Sequence, residues 1–399
     1  MNKLIQEIHD SKTKAMIIEI GCGTPISTLL FSVAGASNSV YAVESPYSRE
    51  AFDKAYGKID FRAVSSERLQ EIFEFHKVTD NDNFNTVVAT TFQVGDETNK
   101  VSTHGWIAIK TTESVRYYHI SIHNSMTRKE YISTVGEIGI KLLHSNNETI
   151  PSDCYVDIVL DNNRNTDYKT TLEFLANNTD TEQMSVFKAD NTIDRLESVT
   201  RNNDTLVLFK GSFNPVSKAH LEVMDECEKL YPNSKKIFSI SIDTFQKGVQ
   251  EVDSLIKRIE LINELGFDII MYNKPLFKNS LDFLRQKYKG KVIYPMGMDT
   301  INRLVMDYIY EGKLHTNEMI CDFNNAQLIC LNRNGNEKNN LLLKDNVEII
   351  KYVENFYHEI SSTDIRKHIE NGDFEKVKEI VPNELHDIIK NKWMKNESN

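Results

Sequence analysis

The sequence predicts an α/β protein of two domains, the C-terminal one a parallel sheet with helices on both faces. Three observations carry the prediction. After Asp204, short apolar runs alternate with longer amphipathic segments, as strands joined by crossover helices do. Residues 1–146 carry a separate set of strand and helix patterns. Between the two, residues 147–203 are dominated by Asn, Asp and Thr, in runs such as DNNRNTD and NNTDT. That stretch reads as a linker region with some ordered structure, because short apolar pieces such as residues 155–160 interrupt it. The expected boundaries are 1–146, 147–203 and 204–399, and no internal repeat is evident.

In chain order, residues 15–20 (AMIIEI) read as a strand and 27–31 as helix. Residues 85–90 and 105–109 read as further strands. Residues 128–143 place Tyr131, Val135, Ile138 and Leu142 at helical spacing. In the C-terminal part, strands are expected at 205–210, 236–242, 268–272, 292–297 and 326–331, with helices between them.

Composition narrows the function classes. A chain of 399 residues has room for two or three domains, each able to bury a core. Its 40% hydrophobic and 26% charged content is that of a globular protein. A net charge of −11 argues against general nucleic-acid binding, which works through phosphate neutralisation, but allows a local basic pocket. The five cysteines, Cys22, Cys154, Cys227, Cys321 and Cys330, are scattered and form no C-x-x-C, so neither a zinc site nor a disulfide framework is expected. The first residues, MNKLIQEIHDSKTKAM, lack the apolar stretch of a secretory signal, and no apolar run reaches the ~18 residues of a membrane span. A cytoplasmic enzyme with no membrane partner is the expectation, with a nuclear location also open.

Two segments carry chemistry. The first is Gly211-Ser212-Phe213-Asn214-Pro215-Val216-Ser217-Lys218-Ala219-His220, lying between an apolar strand and a helix start. A glycine-containing loop in that position turns backbone N–H groups and a helix N-terminus toward a bound anion. The second is Ile360-Ser361-Ser362-Thr363-Asp364-Ile365-Arg366, with hydroxyls at an apparent helix start and an Arg one turn later. Such a segment suits an oxyanion, though Ser361 to Asp364 also fits an ordinary helix cap.

Together, GSFNPVSKAH and ISSTDIR resemble the nucleotidyltransferase superfamily that transfers AMP or CMP from a nucleoside triphosphate, with its Rossmann-like sheet. The F-N-P and I-S-S-T-x-I-R variants are most similar to the nicotinamide/nicotinate mononucleotide adenylyltransferases, over about residues 204–395. The resemblance implies ATP and a mononucleotide as substrates, with Mg2+ held mainly by the phosphates and water. It implies that Gly211, Ser212, Phe213 and Asn214 form the phosphate loop. His220 then donates to the α-phosphate, with Ser217 standing where the family has His or Thr. Ser361, Ser362, Thr363 and Arg366 would bind the β- and γ-phosphates. Lys247, Arg258 and Arg333 match family cations near the phosphates; Arg258 reads equally as a solvated helix Arg. Gly297 and Asp299 match a G-x-D loop that holds the acceptor. The family's Trp after that loop has no counterpart, since the two tryptophans are Trp106 and Trp393; Tyr308 or Tyr310 is the candidate to stack instead.

Residues 15–146 resemble the CinA carboxy-terminal domain, the nicotinamide mononucleotide deamidase family. The matching pieces are Glu19–Thr24 (EIGCGT), Ala34-Gly35-Ala36-Ser37, Tyr47-Ser48, residues 63–67 (AVSSE), Thr90 and Gly105-Trp106-Ile107-Ala108. The family's hydrolytic Ser falls at Ile20 and a family Lys at Phe52. An aliphatic side chain can neither attack nor hydrogen-bond an amide, so this domain is expected to be catalytically degenerate. Cys22 reads as a buried structural thiol, with a nucleophile of lowered pKa as the alternative.

The expected function is adenylyl transfer from ATP to nicotinamide or nicotinate mononucleotide. Two rivals stand beside it: the same chemistry on another acceptor such as phosphopantetheine, and a non-catalytic nucleotide-binding regulator. The sequence leaves both a monomer and a homo-oligomer open.

Overall fold

The structure, a computed structural model, describes residues 1–58, 62–78, 83–95, 103–122, 126–144, 154–161, 168–178, 182–244, 248–274, 277–297, 308–310, 313–315, 326–332, 348–354 and 362–393. The chain divides into two compact units, Met1–Met184 and Ser185–Asn399. Among the described residues, no helix is long and apolar enough to cross a membrane.

In the first unit six strands form one mixed sheet: β1 (Ala15–Ile20), β2 (Val40–Glu44), β3 (Thr86–Gln93), β4 (Thr103–Thr111), β5 (Val115–Ile122) and β6 (Cys154–Asp161). Their order is β2-β1-β3-β4-β5-β6, parallel around β1 and antiparallel from β3 onward. All six residues of β1 are buried, so its alternate side chains feed two cores. Ile17 joins Ile5 and Ile8 of α1 (Asn2–Asp10), Ile26 and Leu30 of α2 (Pro25–Phe31), and Ile138. Ile18 and Ile20 join Phe52, Leu69, Ile72 and Phe73 on the other face. The remaining helices are α3 (Ala36–Ser39), α4 (Arg49–Tyr56), α5 (Ser66–Phe75), α6 (Arg128–His144) and α7 (Tyr168–Asn177). Gly136 of α6 lies against the backbone of α2; a Cβ there would sit 2.9 Å from Pro25 O, so the close approach of α6 to α2 favours glycine.

The second unit carries β7 (Met184–Phe187), β8 (Ile193–Asp194), α8 (Leu196–Val199), β9 (Thr205–Lys210), α9 (Lys218–Leu230) and β10 (Lys235–Ser241). A short hairpin, β11 (Asp243–Thr244) and β12 (Gly248–Val249), leads to α10 (Val252–Glu264) and β13 (Asp268–Tyr272). Then come α11 (Phe277–Lys287), β14 (Lys291–Gly297), the pair β15 (Tyr308–Tyr310) and β16 (Lys313–His315), and β17 (Ala326–Asn332). Then follow β18 (Glu348–Glu354), α12 (Ser362–Glu370) and α13 (Phe374–Ile380), with short helical turns over residues 383–393 after them. The large sheet runs β18-β17-β14-β9-β10-β13-β7-β8, with β18 through β13 parallel.

This strand order creates the site. The chain moves from β9 through β10 to β13, then returns to place β14 on the other side of β9. Right-handed crossovers put α9 and α10 on one face and α11 on the other. Ligands of such sheets bind where the order reverses, at the C-terminal ends of the two diverging strands, here β9 and β14.

Residues 147–203 differ from the expected linker. They divide between the units: β6 and α7 complete the first sheet and its cover, and β7 and β8 extend the second sheet. Among the apolar pieces that interrupt the Asn/Asp/Thr runs, β6 pairs with β5, α7 is a helix, and β7 pairs both with its hairpin neighbour β8 and with the distant β13. A fragment of residues 184–399 is accordingly expected to fold. A fragment of 200–399 loses buried Phe187, Ile193 and Leu196, a deficit on the order of 5 kcal/mol at ~1.5–3 kcal/mol for each side chain. Urea unfolding of the two fragments checks this; equal midpoints would contradict it.

Candidate active site

The first loop starts where β9 ends. Gly211 N–H donates to Ser239 O (3.0 Å), carrying the ladder with β10 one residue beyond the strand. A Cβ on Gly211 would lie 2.7 Å from the Phe213 ring, so this position needs glycine. Phe213 itself adopts φ 41°, in the left-handed region that side chains disfavour. Packing holds it there: the residue is 1% exposed, and its ring meets Phe238, Phe209 and His220 edge-on at 4.8, 5.1 and 5.1 Å. Phe213 is thus a loop anchor rather than a surface for ligand, while Ser212 is exposed and Asn214 half-buried.

Ser217 is the N-cap of α9, and His220 stands at its third position. Ser217 N–H donates to His220 Nδ1 (3.0 Å), and the Ser217 hydroxyl lies 2.9 Å from the same nitrogen. A backbone N–H can only donate, so Nδ1 accepts, and the neutral ring carries its proton on Nε2. The imidazole is also gripped by Phe209 and Phe213. Tautomer and ring plane are both set, with Nε2–H as the donating end.

The second segment docks on the first. At the start of α12, Ser362 Oγ donates to Pro215 O (3.0 Å), and Arg366 Nη1 donates to Asn214 O (2.7 Å). Arg366 Nη2 donates to Thr363 Oγ1 (3.0 Å). Residues 147 and 152 positions apart in sequence therefore meet at one loop.

Arg258 reaches the same loop from α10. It is 5% exposed; its Nη1 donates to Ser212 O (3.2 Å) and Gln250 Oε1 (2.7 Å), and its Nη2 to Ser254 Oγ (2.9 Å). Its buried Nε has no partner among the described residues. Burial first, and then the positive charge of Arg366, together lower the Arg258 pKa to about 10. Two guanidiniums thus converge on carbonyls of a four-residue turn, each counting against the other. An anion at that turn relieves both the desolvation and the repulsion. The alternative of a solvated helix Arg is excluded by this burial. Its signal was legible: Leu255, Arg258, Ile259 and Ile262 share one buried face at helical spacing.

Gly297 ends β14, the strand beside β9. Lys247, Asp299, Arg333 and Ser361 lie outside the described residues, as do the side chains of Tyr308 and Tyr310. One cation escaped the sequence reading. Lys210 closes β9 immediately before the loop, and its Nζ donates to Ser280 Oγ (3.0 Å) of α11. A lysine ending an apolar strand one residue before a phosphate loop was the available signal.

The first unit presents different chemistry. Glu19 is fully buried and caps α2: its carboxylate accepts from Ile26 N–H (2.7 Å), Ser27 N–H (3.2 Å) and the Ser27 hydroxyl (2.6 Å). Gly21 adopts φ 85°, and a Cβ there would run into Phe92 O at 2.1 Å. Ile20 and Phe52 are 4% and 1% exposed, both core residues. Cys22 is fully buried, its Sγ 4.0 Å from Thr90 Oγ1. Burial, and then the Glu19 carboxylate, push the thiol up to about 12, which removes the nucleophile alternative. Native protein treated with iodoacetamide at pH 8 is expected to leave Cys22 unmodified, with labelling only after unfolding. Mass mapping of alkylated Cys22 in native protein would contradict this.

Comparison with known proteins agrees with the second unit's geometry. Residues 208–368 match the cytidylyltransferase-like family. The C-terminal unit therefore contains a domain of the cytidylyltransferase-like nucleotidyltransferase superfamily, with a Rossmann-type parallel sheet. Among curated proteins, the chain is 28% identical over 114 residues to a phosphopantetheine adenylyltransferase of Clostridium botulinum, covering 27% of this chain and 62% of that one. It is 25% identical over 117 residues to the protein of that name from Clostridium novyi, covering 29% and 66%. The chain thus spans less than two thirds of these relatives' length. Among solved structures, it is similar to Plasmodium falciparum nicotinic acid mononucleotide adenylyltransferase complexed with NaAD, with 18% identity, 46% of this chain, 94% of that one and a TM-score of 0.33. It is also similar to the competence/damage inducible protein CihA from Agrobacterium tumefaciens, with 20% identity, 35% and 89% coverage and a TM-score of 0.30.

Proposed function

We propose that the C-terminal unit transfers the adenylyl group of ATP to the phosphate of nicotinamide or nicotinate mononucleotide. The observation that carries a polyphosphate substrate is the convergence of Arg258 and Arg366 on the 212–215 turn. The acceptor reading rests on the sequence of the two loops, GSFNP and ISSTDIR.

In this reading an oxygen of the acceptor phosphate bonds to the α-phosphorus of ATP. The bond from that phosphorus to the α–β bridging oxygen breaks, and pyrophosphate leaves. The acceptor phosphate, with second pKa near 6, is already ionised at neutral pH and needs no general base. Catalysis is then positioning and stabilisation of spreading charge. His220 Nε2–H donates at the α-phosphate as charge develops. Ser217 acts through His220, holding its tautomer, rather than on the phosphate itself. Arg366, Ser362 and Thr363 sit at the β- and γ-phosphates, with Arg258 behind the loop. Magnesium accompanies the triphosphate, held by phosphate oxygens and water; no described residue is assigned to it.

The curated relatives favour a second reading, the same transfer to phosphopantetheine. Pyrophosphate release from ATP by the full chain, with each acceptor supplied alone, separates them. Release dependent on a pyridine mononucleotide supports the proposal. Release with phosphopantetheine only would replace it with the second reading, and release with neither would leave a nucleotide-binding regulator.

A further inference from the structure

Lys210 takes no part in the chemistry described so far. Its neighbour in sequence, Phe209, packs on His220. Alternation along the strand therefore sends Lys210 to the other face of the sheet. There its Nζ donates to the Ser280 hydroxyl, in the N-terminal half of α11, at 3.0 Å. It also lies 5.7 Å from the centre of the Tyr272 ring, at the C-terminal end of β13. Tyr272 in turn meets Phe283 of α11, ring centres 5.9 Å apart. Lys210 is half-buried, at the lip of the crevice where the strand order reverses.

In-line displacement divides that crevice. The leaving pyrophosphate lies toward Arg366, so the acceptor must approach the α-phosphorus from the opposite side. His220, Arg258 and Arg366 all gather at the 212–215 turn and α9. Lys210 lies on the other face, at the C-terminal end of β9 and beside the Tyr272 ring.

We propose that Lys210 determines acceptor specificity: its ammonium recognises the carboxylate of nicotinate mononucleotide and so favours it over the neutral amide. The inference rests on the adenylyltransferase reading above. A carboxylate meeting an ammonium in a partly desolvated pocket makes a charge-assisted hydrogen bond, about twice as strong as the neutral one a carboxamide offers. Burial pushes the Lys210 ammonium down to about 7. An arriving carboxylate favours its charged form, whereas a carboxamide does not.

The test compares kcat/KM for nicotinate and nicotinamide mononucleotides at saturating ATP, in the full chain and in Lys210→Met, which keeps an unbranched stem without the charge. The wild type is expected to prefer the acid. In the variant, kcat/KM for the acid falls on the order of 10- to 100-fold, while the amide value and the KM for ATP stay as they were. Equal losses for both acceptors, or no loss, overturn the assignment. Should Lys210→Met fail to fold, by its thermal transition, the wild type alone decides: use of the amide as well as the acid overturns it. Transfer to phosphopantetheine and to neither pyridine nucleotide would show instead that the underlying reading is at fault.

Discussion

Replacing His220 by alanine is expected to lower kcat on the order of 100-fold or more, the usual cost of losing one transition-state donor. ATP affinity should change little, because the imidazole acts where charge develops rather than where the base or the terminal phosphates bind. The structure sharpens this expectation. Ser217 N–H and hydroxyl both address Nδ1, so the donating proton sits on Nε2 before substrate arrives. The same contacts make His220 part of the α9 cap, so the variant also loses about 1 kcal/mol of stability. Steady-state kinetics below the variant's thermal transition keep the two effects apart. A variant with unchanged kcat would remove His220 from the mechanism.

Arg366→Ala is expected to act on binding. Its guanidinium links the second segment to Asn214 O and orients Thr363. Losing a charge-assisted contact of roughly 1.5–3 kcal/mol raises the dissociation constant for ATP on the order of 10- to 100-fold. AMP, which lacks the β- and γ-phosphates, should bind nearly as before. Titration of both nucleotides by calorimetry checks the split; equal weakening for ATP and AMP would contradict a role at the terminal phosphates.

Much of the fold could be read in advance because its central strands are continuous apolar runs. The expected strand at 268–272 is β13 without adjustment, and 236–242 is β10 shifted by one residue. Strands β2 and β5 escaped. VYAVE is short, and VRYYHISI mixes charged, aromatic and polar side chains without clean alternation. The membership of β7 was out of reach for a different reason: which sheet a strand joins depends on partners far along the chain, here β13.

The candidate site divides in the same way. GSFNPVSKAH and ISSTDIR were legible because loop chemistry is local, and the structure brings them into contact. The roles inside them were not. Phe213 turned out to be an anchor in the left-handed region, and Ser217 a partner of the imidazole. The buried state of Arg258 could be read from the helical spacing of its apolar neighbours, but the orientation of Lys210 depends on which helix covers which face, and that follows only from strand order.

The most direct test follows the α-phosphorus. ATP labelled there is mixed with the full chain and nicotinate mononucleotide, and products are separated by anion exchange. The account predicts label in a dinucleotide, in a one-to-one ratio with unlabelled pyrophosphate. Label remaining in ATP, or appearing only as free AMP, would contradict adenylyl transfer to this acceptor.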